Sequence, residues 1–538
     1  MGQHRGLVMS KKGMVCSAHP LSSWVGADVL AKGGNATDAA IAMALATGVL
    51  LPNMCGIGGD AFMLYYDAKT KKVTAINGSG NVPIKATREY YISKGYDKMP
   101  LTGMLSVAVP GAVGVYFKAL SLFGSMKFED ISTYAIEYAR DGFPVGQINS
   151  ADMAADVDKL RKFAGASKIY LKQNEPYKQG EILRNEDYAK SLEILGSKGE
   201  QAFYKGEIAE KIVTHSKLHG GLFELSDFEN HETIVYEPIF TDYRGFKVYE
   251  TAPVSQGGIV LEELNILEGF DLRAMGSNSA DAIHCMVEAK KIAFADRIKY
   301  FGDPEFVKNP LKGILSKEYA HIARQKIDMN KARVEDINLN PFDFEGNTTS
   351  LVAVDRWGNA VSFIHSVSNN WGSCEVAEGT GILLNNRAGR GFNLIEGHPN
   401  CIAPGKKTMH TLNTWLVTKD GRPKWVGNTP GGDGQPQWNM QLITNLIDFD
   451  MNVQETVEAP RWLDFPGTDP ADAEKQAELR IEKRVAEQTL KDLKSRGHNV
   501  VLLEPYAAGG AAQIIEIMEN GVLAGGSDPR ADGSAIGI

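Results

Sequence analysis

The chain is poor in cysteine and has no long apolar run. Its five cysteines among 538 residues are Cys16, Cys55, Cys285, Cys374 and Cys401, odd in number and with no CxxC pair. That pattern argues against a disulfide framework or a cysteine zinc site, and buried, reduced thiols are expected. The most apolar stretch, Ala39 to Leu51, is too short to span a bilayer and reads as a buried helix. Basic runs are missing as well. With a formal net charge of −9 and a pI of about 5.8, the chain is a poor partner for nucleic acid or anionic lipid. No secretory signal is visible, because Gly6 to Met9 is too short for an apolar core and runs into Ser10-Lys11-Lys12. The start also lacks the serine or threonine of a myristoylation signal. The expectation is a cytoplasmic protein with neither membrane nor nucleic-acid partner. A G-x-S-x-G elbow is absent too, which removes the main signature of an α/β-hydrolase serine site.

The rest is ordinary globular composition with a slight glycine excess, 56 glycines against 22 prolines and 43% hydrophobic residues. Length allows roughly two to four domains and a large core. Ser22 to Lys32 reads as a helix ending at Gly33-Gly34, and Asn35 to Asp38 cap a second, alanine-rich helix that runs to Gly48. Ala61 to Tyr66 and Val73 to Asn77 are a strand pair. Residues 125–235 read as mainly helical and polar, Phe246 to Glu250 as a strand, and Ala280 to Arg297 as a helix with Lys290 interrupting its apolar face. Lys331 to Gly346 reads as an exposed, cuttable loop. After it come strands Ser350 to Val354 and Ala360 to Ile364, joined by the turn Asp355-Arg356-Trp357-Gly358-Asn359. Further strands are predicted at Thr414 to Thr418, Lys424 to Val426, Gln513 to Met518 and Val522 to Gly525, with a helix at Glu482 to Ser495. No internal repeat is visible. The sum is an α+β layered fold.

Three motifs carry less than they promise. Gly56-Ile57-Gly58-Gly59-Asp60-Ala61 fits a dinucleotide fingerprint, but a helix precedes it and a strand follows, the reverse of what that site needs; a tight turn with close backbone approach fits better. His215 and His219 lie at i, i+4 without a third ligand in sequence, so a surface helix end is expected there. Asn347-Thr348-Thr349 matches a glycosylation sequon of no use without export.

The same tripeptide supports a different chemistry. A threonine hydroxyl is a weak nucleophile and needs a base. Cleavage before Thr348 would free an α-amine on the same residue, and such an amine has a pKa of about 7.7–8.0, suited to a general base near neutral pH. A loop before Thr348 to be cut, and a strand after it to hold the new terminus, fit this design. Thr348 and Thr349 could equally just begin a strand, as threonine often does. Downstream, Thr429-Pro430-Gly431-Gly432-Asp433-Gly434 places two glycines where backbone N–H groups could meet the negative charge that develops in acyl transfer, although a plain tight turn reads the same locally.

With these pieces in order, the chain resembles the γ-glutamyltransferase family of N-terminal-nucleophile hydrolases over nearly its whole length. The resemblance rests on Gly13-Met14-Val15, Ser17-Ala18-His19-Pro20, Gly33 to Ala40, Gly56 to Asp60, Val109-Pro110-Gly111, Gly257-Gly258, Glu288-Ala289, Phe294 to Arg297 and Gly302-Asp303-Pro304. In the C-terminal part it rests on Thr348-Thr349-Ser350, Asp355, Gly358 to Ser362, Gly381 to Asn386, Pro430-Gly431-Gly432, Ala459-Pro460-Arg461 and Ser527-Asp528-Pro529-Arg530.

The resemblance implies a proenzyme that cuts itself between Asn347 and Thr348. A large piece, 1–347, and a small piece, 348–538, would stay associated in one four-layer αββα sandwich. Thr348 Oγ would attack an amide carbonyl of a small-molecule or peptide substrate such as glutathione. Gly431 and Gly432 N–H groups would hold the oxyanion, Ser366 would orient the nucleophile, and the acyl group would pass to water or an amine. No metal or organic cofactor is implied.

The departures from the family concern the substrate. Ser79 stands where the family has the arginine that holds the glutamyl α-carboxylate. Arg387, followed by Arg390, stands where an acidic residue holds the α-amine. His410-Thr411 replaces a Ser-Ser pair, and Phe392 to Lys406 is short for a lid loop. Arg387, Arg390, His410 and Thr411 are therefore the candidate substrate-binding residues. An acylase for a different acyl amide, of glutaryl or cephalosporin type with a carboxylate met by Arg387 or Arg390, is the alternative; surface charge is the other reading of those arginines. An unprocessed, non-enzymatic homologue is a further alternative, and a nucleotide-dependent enzyme built on Gly56 to Ala61 the last.

Overall fold

The computed structural model describes residues 4–333, 348–466 and 477–538. Asn347 and nearly all of the expected cuttable loop lie outside these residues. Two seven-stranded sheets form the centre. The first runs, in spatial order, Ser534–Gly537, Met14–Ser17, Thr349–Val354, Ala360–Ser366, Asp60–Asp67, Lys72–Asn77 and Ile234–Tyr236. The second runs Val8–Ser10, Leu523–Ser527, Gln513–Ile517, Arg422–Asn428, Trp415–Lys419, Phe246–Glu250 and Ile239–Tyr243. All neighbours in both sheets pair antiparallel. Each sheet takes strands from both ends of the chain, so neither part of the sequence completes a sheet alone.

Both faces of the central strands are buried, and their sequences show it. Thr349–Val354 is buried at every position. A strand covered on both sides reads as a continuous apolar run rather than an alternation. Leu351, Ala353, Val361, Phe363 and Met63 pack with helix Ala36–Leu50 and its neighbours. Val352, Val354, Ala360 and Leu64 face the other way and meet Leu416, Val426 and Ile515 of the second sheet. That sheet's outer face, through Val248, Trp415, Val417 and Ile514, packs on Val260, Leu264, Leu442 and Leu446 of helices Gly257–Leu267 and Gly434–Ile447.

Helix Ala36–Leu50 is buried along its whole length, which alanine at six of its positions allows, because small side chains let neighbours approach from all sides. Asn35 caps it and forms a capping box with Asp38. The hairpin turn after Thr349–Val354 locks onto that helix through Asp355. Its carboxylate accepts from the backbone N–H of Ala36 at 3.0 Å, of Trp357 at 2.9 Å and of Asn359 at 3.0 Å. The Asn359 side-chain amide adds a fourth bond at 2.8 Å.

Most predicted elements appear within a few residues. Helix Pro20–Ala31, strands Lys72–Asn77 and Phe246–Glu250, and helix Ala280–Tyr300 are cases in point. One prediction needs correction. The expected helix Glu482 to Ser495 begins only at Glu487, because Glu478–Glu482 is a strand that pairs with Trp462–Phe465 and Val500–Leu503. Lys290 does interrupt an apolar face, and the fold accommodates it: its ammonium is buried and bonds Asp464 at 2.8 Å. All five cysteines are free, four buried and Cys401 partly exposed. Among the described residues no helix is long and apolar enough to cross a membrane.

Asp355→Ala should strip four hydrogen bonds from this junction and leave buried donors unmatched, a loss of about 3 kcal/mol or more. Thermal unfolding is expected to show a lower midpoint than wild type, with Asp355→Asn in between; an unchanged midpoint for Asp355→Ala would contradict this role.

Candidate active site

Antiparallel register builds the centre of the site. Thr349 pairs with His365, which sets Thr348 opposite Ser366, and Ser366 pairs in turn with Asp60. The next strand continues past its end, where Gly78 N–H donates to the Ala61 carbonyl at 3.0 Å, and this sets Ser79 opposite Asp60. Residues directly opposite on antiparallel strands point to the same face. Thr348, Ser366, Asp60 and Ser79 therefore form one polar row across four strands, all essentially buried.

Within the row, Thr348 Oγ1 donates to Ser366 Oγ at 3.2 Å. Ser366 Oγ also accepts the Ser368 N–H at 2.8 Å. The hydroxyl of Ser366 is thus anchored by backbone and holds the threonine in one orientation. Gly59 makes the close passage beside it possible: a Cβ there would fall 2.3 Å from the Ser366 carbonyl oxygen. The turn read from Gly56 to Asp60 is confirmed, with a helix before it and a strand after.

A cavity of about 110 Å³ opens against Thr348, walled by Pro430 and Gly431 on one side and by Ala18, Leu51, Met54 and Ile148 on another. Gly431 and Gly432 have φ of 127° and 53°, in the region that favours glycine. A Cβ on Gly431 would also fall 2.1 Å from the Trp438 ring. Among the described residues, neither glycine N–H has a hydrogen-bond acceptor. The next residue, Asp433, is held by the buried Arg297 guanidinium at 2.7 Å. Gln256 ties the turn to the second candidate segment, since its amide donates to the carbonyls of Thr411 and, at 3.2 Å, of Gly432.

A network of buried ions supports the far wall of the cavity. Arg461 binds Asp528 at 2.8 Å and the Gly509 carbonyl at 2.8 Å. Arg530 binds Asp528 at 3.0 Å and Glu482 at 2.8 Å. Burial alone would raise the carboxyl of Asp528, but the two guanidinium groups hold it below its ordinary value. Asp528 in turn accepts the Ala512 N–H at 3.1 Å, which fixes the Gly510-Ala511 segment beside Thr348.

The four candidate substrate-binding residues are interior, not surface. Arg387, Arg390, His410 and Thr411 are all at most 1% exposed. Asn385 positions the first of them: its side chain accepts the Arg387 N–H at 3.0 Å and donates to the carbonyls of Gly58 and Ala108. Arg387 Nε then reaches Asp60 Oδ2 at 3.3 Å, and His410 Nε2 lies 3.7 Å from the same oxygen. Arg390 donates to the Ser368 carbonyl at 3.3 Å. Burial, with Arg387, Arg390 and Lys407 nearby, pushes His410 well below its ordinary pKa and keeps it neutral. Burial raises Asp60 to about 6, against the pull of Arg387. These residues flank the row on the side of Asp60 and do not line the cavity at Thr348.

Reading residues singly missed Asp60, Gln256 and the Arg297–Asp433 pair. Asp60 and Arg297 did lie in motifs that carried the resemblance, whereas Gln256, beside Gly257-Gly258, had no signal of its own. The expected surface position holds for His219, exposed at the end of helix Glu207–Leu218, and is corrected for His215. His215 is buried and bonds Glu375 at 3.0 Å, so a third ligand-type group does lie beside the pair, brought from distant sequence.

Comparison with known proteins agrees with this geometry. The family model described as gamma-glutamyltranspeptidase matches residues 22–538. A glutathione hydrolase-like proenzyme of Bacillus subtilis, YwrD, is 38% identical over 99% of both chains. The glutathione hydrolase proenzyme of Escherichia coli is 36% identical over 97% of this chain and 91% of its own. A solved cephalosporin acylase from Bacillus halodurans superposes with a TM-score of 0.92 at 33% identity, covering 100% of this chain and 98% of its own. The chain belongs to the gamma-glutamyltranspeptidase family.

Two outcomes are expected. Ser366→Ala should lower kcat by roughly 10- to 100-fold by freeing the Thr348 rotamer, while Ser366→Thr, which keeps the hydroxyl, should retain most activity; equal loss in both would exclude the hydroxyl as the cause. The second concerns Asp60. In the unfolded chain its carboxyl ionises near 3.8, whereas the fold retains the proton to about 6. Its contribution to stability is therefore full below pH 3.8 and is lost as pH rises through about 6, by on the order of 3 kcal/mol. Asp60→Asn cannot ionise, so its stability relative to wild type should improve across that window. Urea midpoints of both proteins between pH 4 and pH 7 check this.

Proposed function

We propose that this family member is a self-processing threonine amidohydrolase and acyltransferase, acting on γ-glutamyl-type amides such as glutathione through an acyl-enzyme on Thr348. One observation carries the reading. Thr348, its hydroxyl bonded to Ser366, lines one cavity together with Pro430 and Gly431, and among the described residues the N–H groups of Gly431 and Gly432 have no acceptor. Nucleophile, orienting group and oxyanion donors are the minimum set for acyl transfer.

The expected chemistry follows from those groups. Cleavage before Thr348 yields its free α-amine. That amine takes the hydroxyl proton as Thr348 Oγ attacks the amide carbon. The carbonyl oxygen becomes an oxyanion and accepts from the N–H groups of Gly431 and Gly432, whose fixed positions need no rearrangement as charge develops. Collapse of the intermediate breaks the C–N bond, and the proton leaves with the amine. Water or a second amine then attacks the ester in the same way. The two pieces, 1–347 and 348–538, would stay together because each sheet holds strands of both. We read the two stacked sheets with their outer helices as the four-layer αββα arrangement expected from the sequence. Both proenzyme relatives support the processing step, and the acylase likeness supports a wider range of acyl groups.

On a denaturing gel with intact mass, wild type should appear as two pieces cut before Thr348, and Thr348→Ala as one uncut chain without activity. A wild-type chain that stays whole and inactive would favour the non-enzymatic reading.

A further inference from the structure

The histidine pair has no part in the acyl chemistry, and the fold gives it a third partner. His215 and His219 close the helix Glu207–Leu218, with stacked rings 4.1 Å apart. Glu375 Oε2 lies 3.0 Å from His215 Nε2. One ligand atom from each of the three side chains falls within 4.8 Å of the other two. His215 and Glu375 are buried, and His219 is exposed.

A second group, His284, Glu288 and His498, has the same composition but is already matched. The two ring nitrogens of His284 are bonded to His498 Nε2 at 2.8 Å and to the Asp328 carbonyl at 2.9 Å. Glu288 accepts from Lys291 at 2.8 Å and from the Arg333 N–H at 3.2 Å. Those side chains are held by the fold. His215 is held less completely: its Nδ1 is buried without a hydrogen-bond partner among the described residues. A half-matched buried imidazole beside two other ligand-type groups points to a ligand that completes it.

The surroundings and the donor set say which ligand. His219 caps the C-terminal end of a twelve-residue helix, where the outward carbonyls favour a cation. Lys211, one turn earlier, is turned onto the Gly379 carbonyl at 3.2 Å. Two imidazoles and one carboxylate select zinc or a chemically similar transition metal, whereas magnesium and calcium take oxygen ligands. Bonds of about 2.0–2.1 Å place the ligands of a tetrahedral zinc about 3.4 Å apart. His215 and Glu375 already meet that spacing, and His219, exposed at the helix end, closes the rest by side-chain rotation.

We propose that His215, His219 and Glu375 bind a divalent zinc-type ion, with water completing the shell on the exposed side, and that the ion staples two distant parts of the chain. Glu375 leads into the hairpin of Val376–Ala377 and Ile382–Leu383, and its carbonyl accepts the Leu384 N–H at 2.9 Å. That hairpin rests on helices of the N-terminal part: Ser191 donates to the Thr380 carbonyl at 2.8 Å, and Asn185 to the Gly381 carbonyl at 2.9 Å. In the processed enzyme the ion would join 1–347 to 348–538. The site itself does not depend on the cut.

The test uses the full-length, tag-free chain stripped with EDTA and dialysed, with zinc chloride as the probe. Calorimetry should show zinc binding to the wild type, and His219→Ala and Glu375→Gln should each weaken it by at least about 10-fold. Zinc at about 100-fold above its Kd should raise the thermal midpoint of wild type by about 2 °C or more, and magnesium at the same concentration should not. His219→Ala alters an exposed side chain and should melt like wild type in EDTA, so a missing zinc shift there reports the ligand rather than the fold. No zinc binding, or binding equally tight in both variants, would overturn the proposal. Thr348→Ala carries the same three ligands and should show the full zinc shift as an uncut chain, so a failure of the threonine chemistry and a failure of this site are told apart.

Discussion

The pairing of Thr349–Val354 with Ala360–Ser366 is the constraint from which the site follows. These strands sit in the middle of the first sheet, and their register, set by the short turn at Asp355, decides which side chain stands beside Thr348. Side chains alternate along a strand, so a slip of one residue would turn Thr348 toward the helices and replace Ser366 by His365 or Val367. The fold resists that slip in several places at once. Leu351 and Phe363 are committed to the helical side, and Val352 and Val354 to the second sheet. The N-terminus of helix Ala36–Leu50 is bolted to the turn by Asp355. A threonine at the head of such a strand is held on a rigid element, as a reacting group needs to be.

Around that strand the interior is unusually rich in charge, and the charges have separable tasks. Arg461, Asp528, Arg530 and Glu482 form a closed network in which each guanidinium has a carboxylate. Breaking one member would strand another in a poorly solvated place. Arg297 and Asp433 pair in the same way beside the Gly431-Gly432 turn. At Arg387 the facing acid is Asp60, reached through Nε.

A separation of chemistry from specificity follows from the proposed function. Thr348, Ser366 and the glycine turn are held by backbone geometry, which strands and a tight turn supply. On that proposal, recognition of the acyl group would fall to side chains from the segments after Asn385 and before Leu412, which can change charge without disturbing the strands. Ser79, Arg387 and His410-Thr411 are such changes, and the fold is superposable on relatives bearing different names.

Much was determined by the sequence alone. The hairpin at Asp355, the alanine-rich helix, the buried Ala280–Tyr300 helix and the order of motifs around Thr348 were all legible, because each depends on neighbours along the chain: caps, turn residues and apolar periodicity. Thr348 and the Gly431-Gly432 turn stood out as candidates through local motifs and their order, and Ser366 through the resemblance to the family. What only the tertiary structure decided are relations between distant segments. Glu478–Glu482 became a strand because partners on both sides were waiting for it. Lys290 could be buried because Asp464 arrives to meet it. Arg387 and Arg390, readable from sequence as surface charge or as ligands, are interior because Asn385, Asp60 and Ser368 converge on them. A hydrogen bond or an ion pair over a hundred residues leaves no periodicity in the chain, so its existence had to wait for the folded molecule.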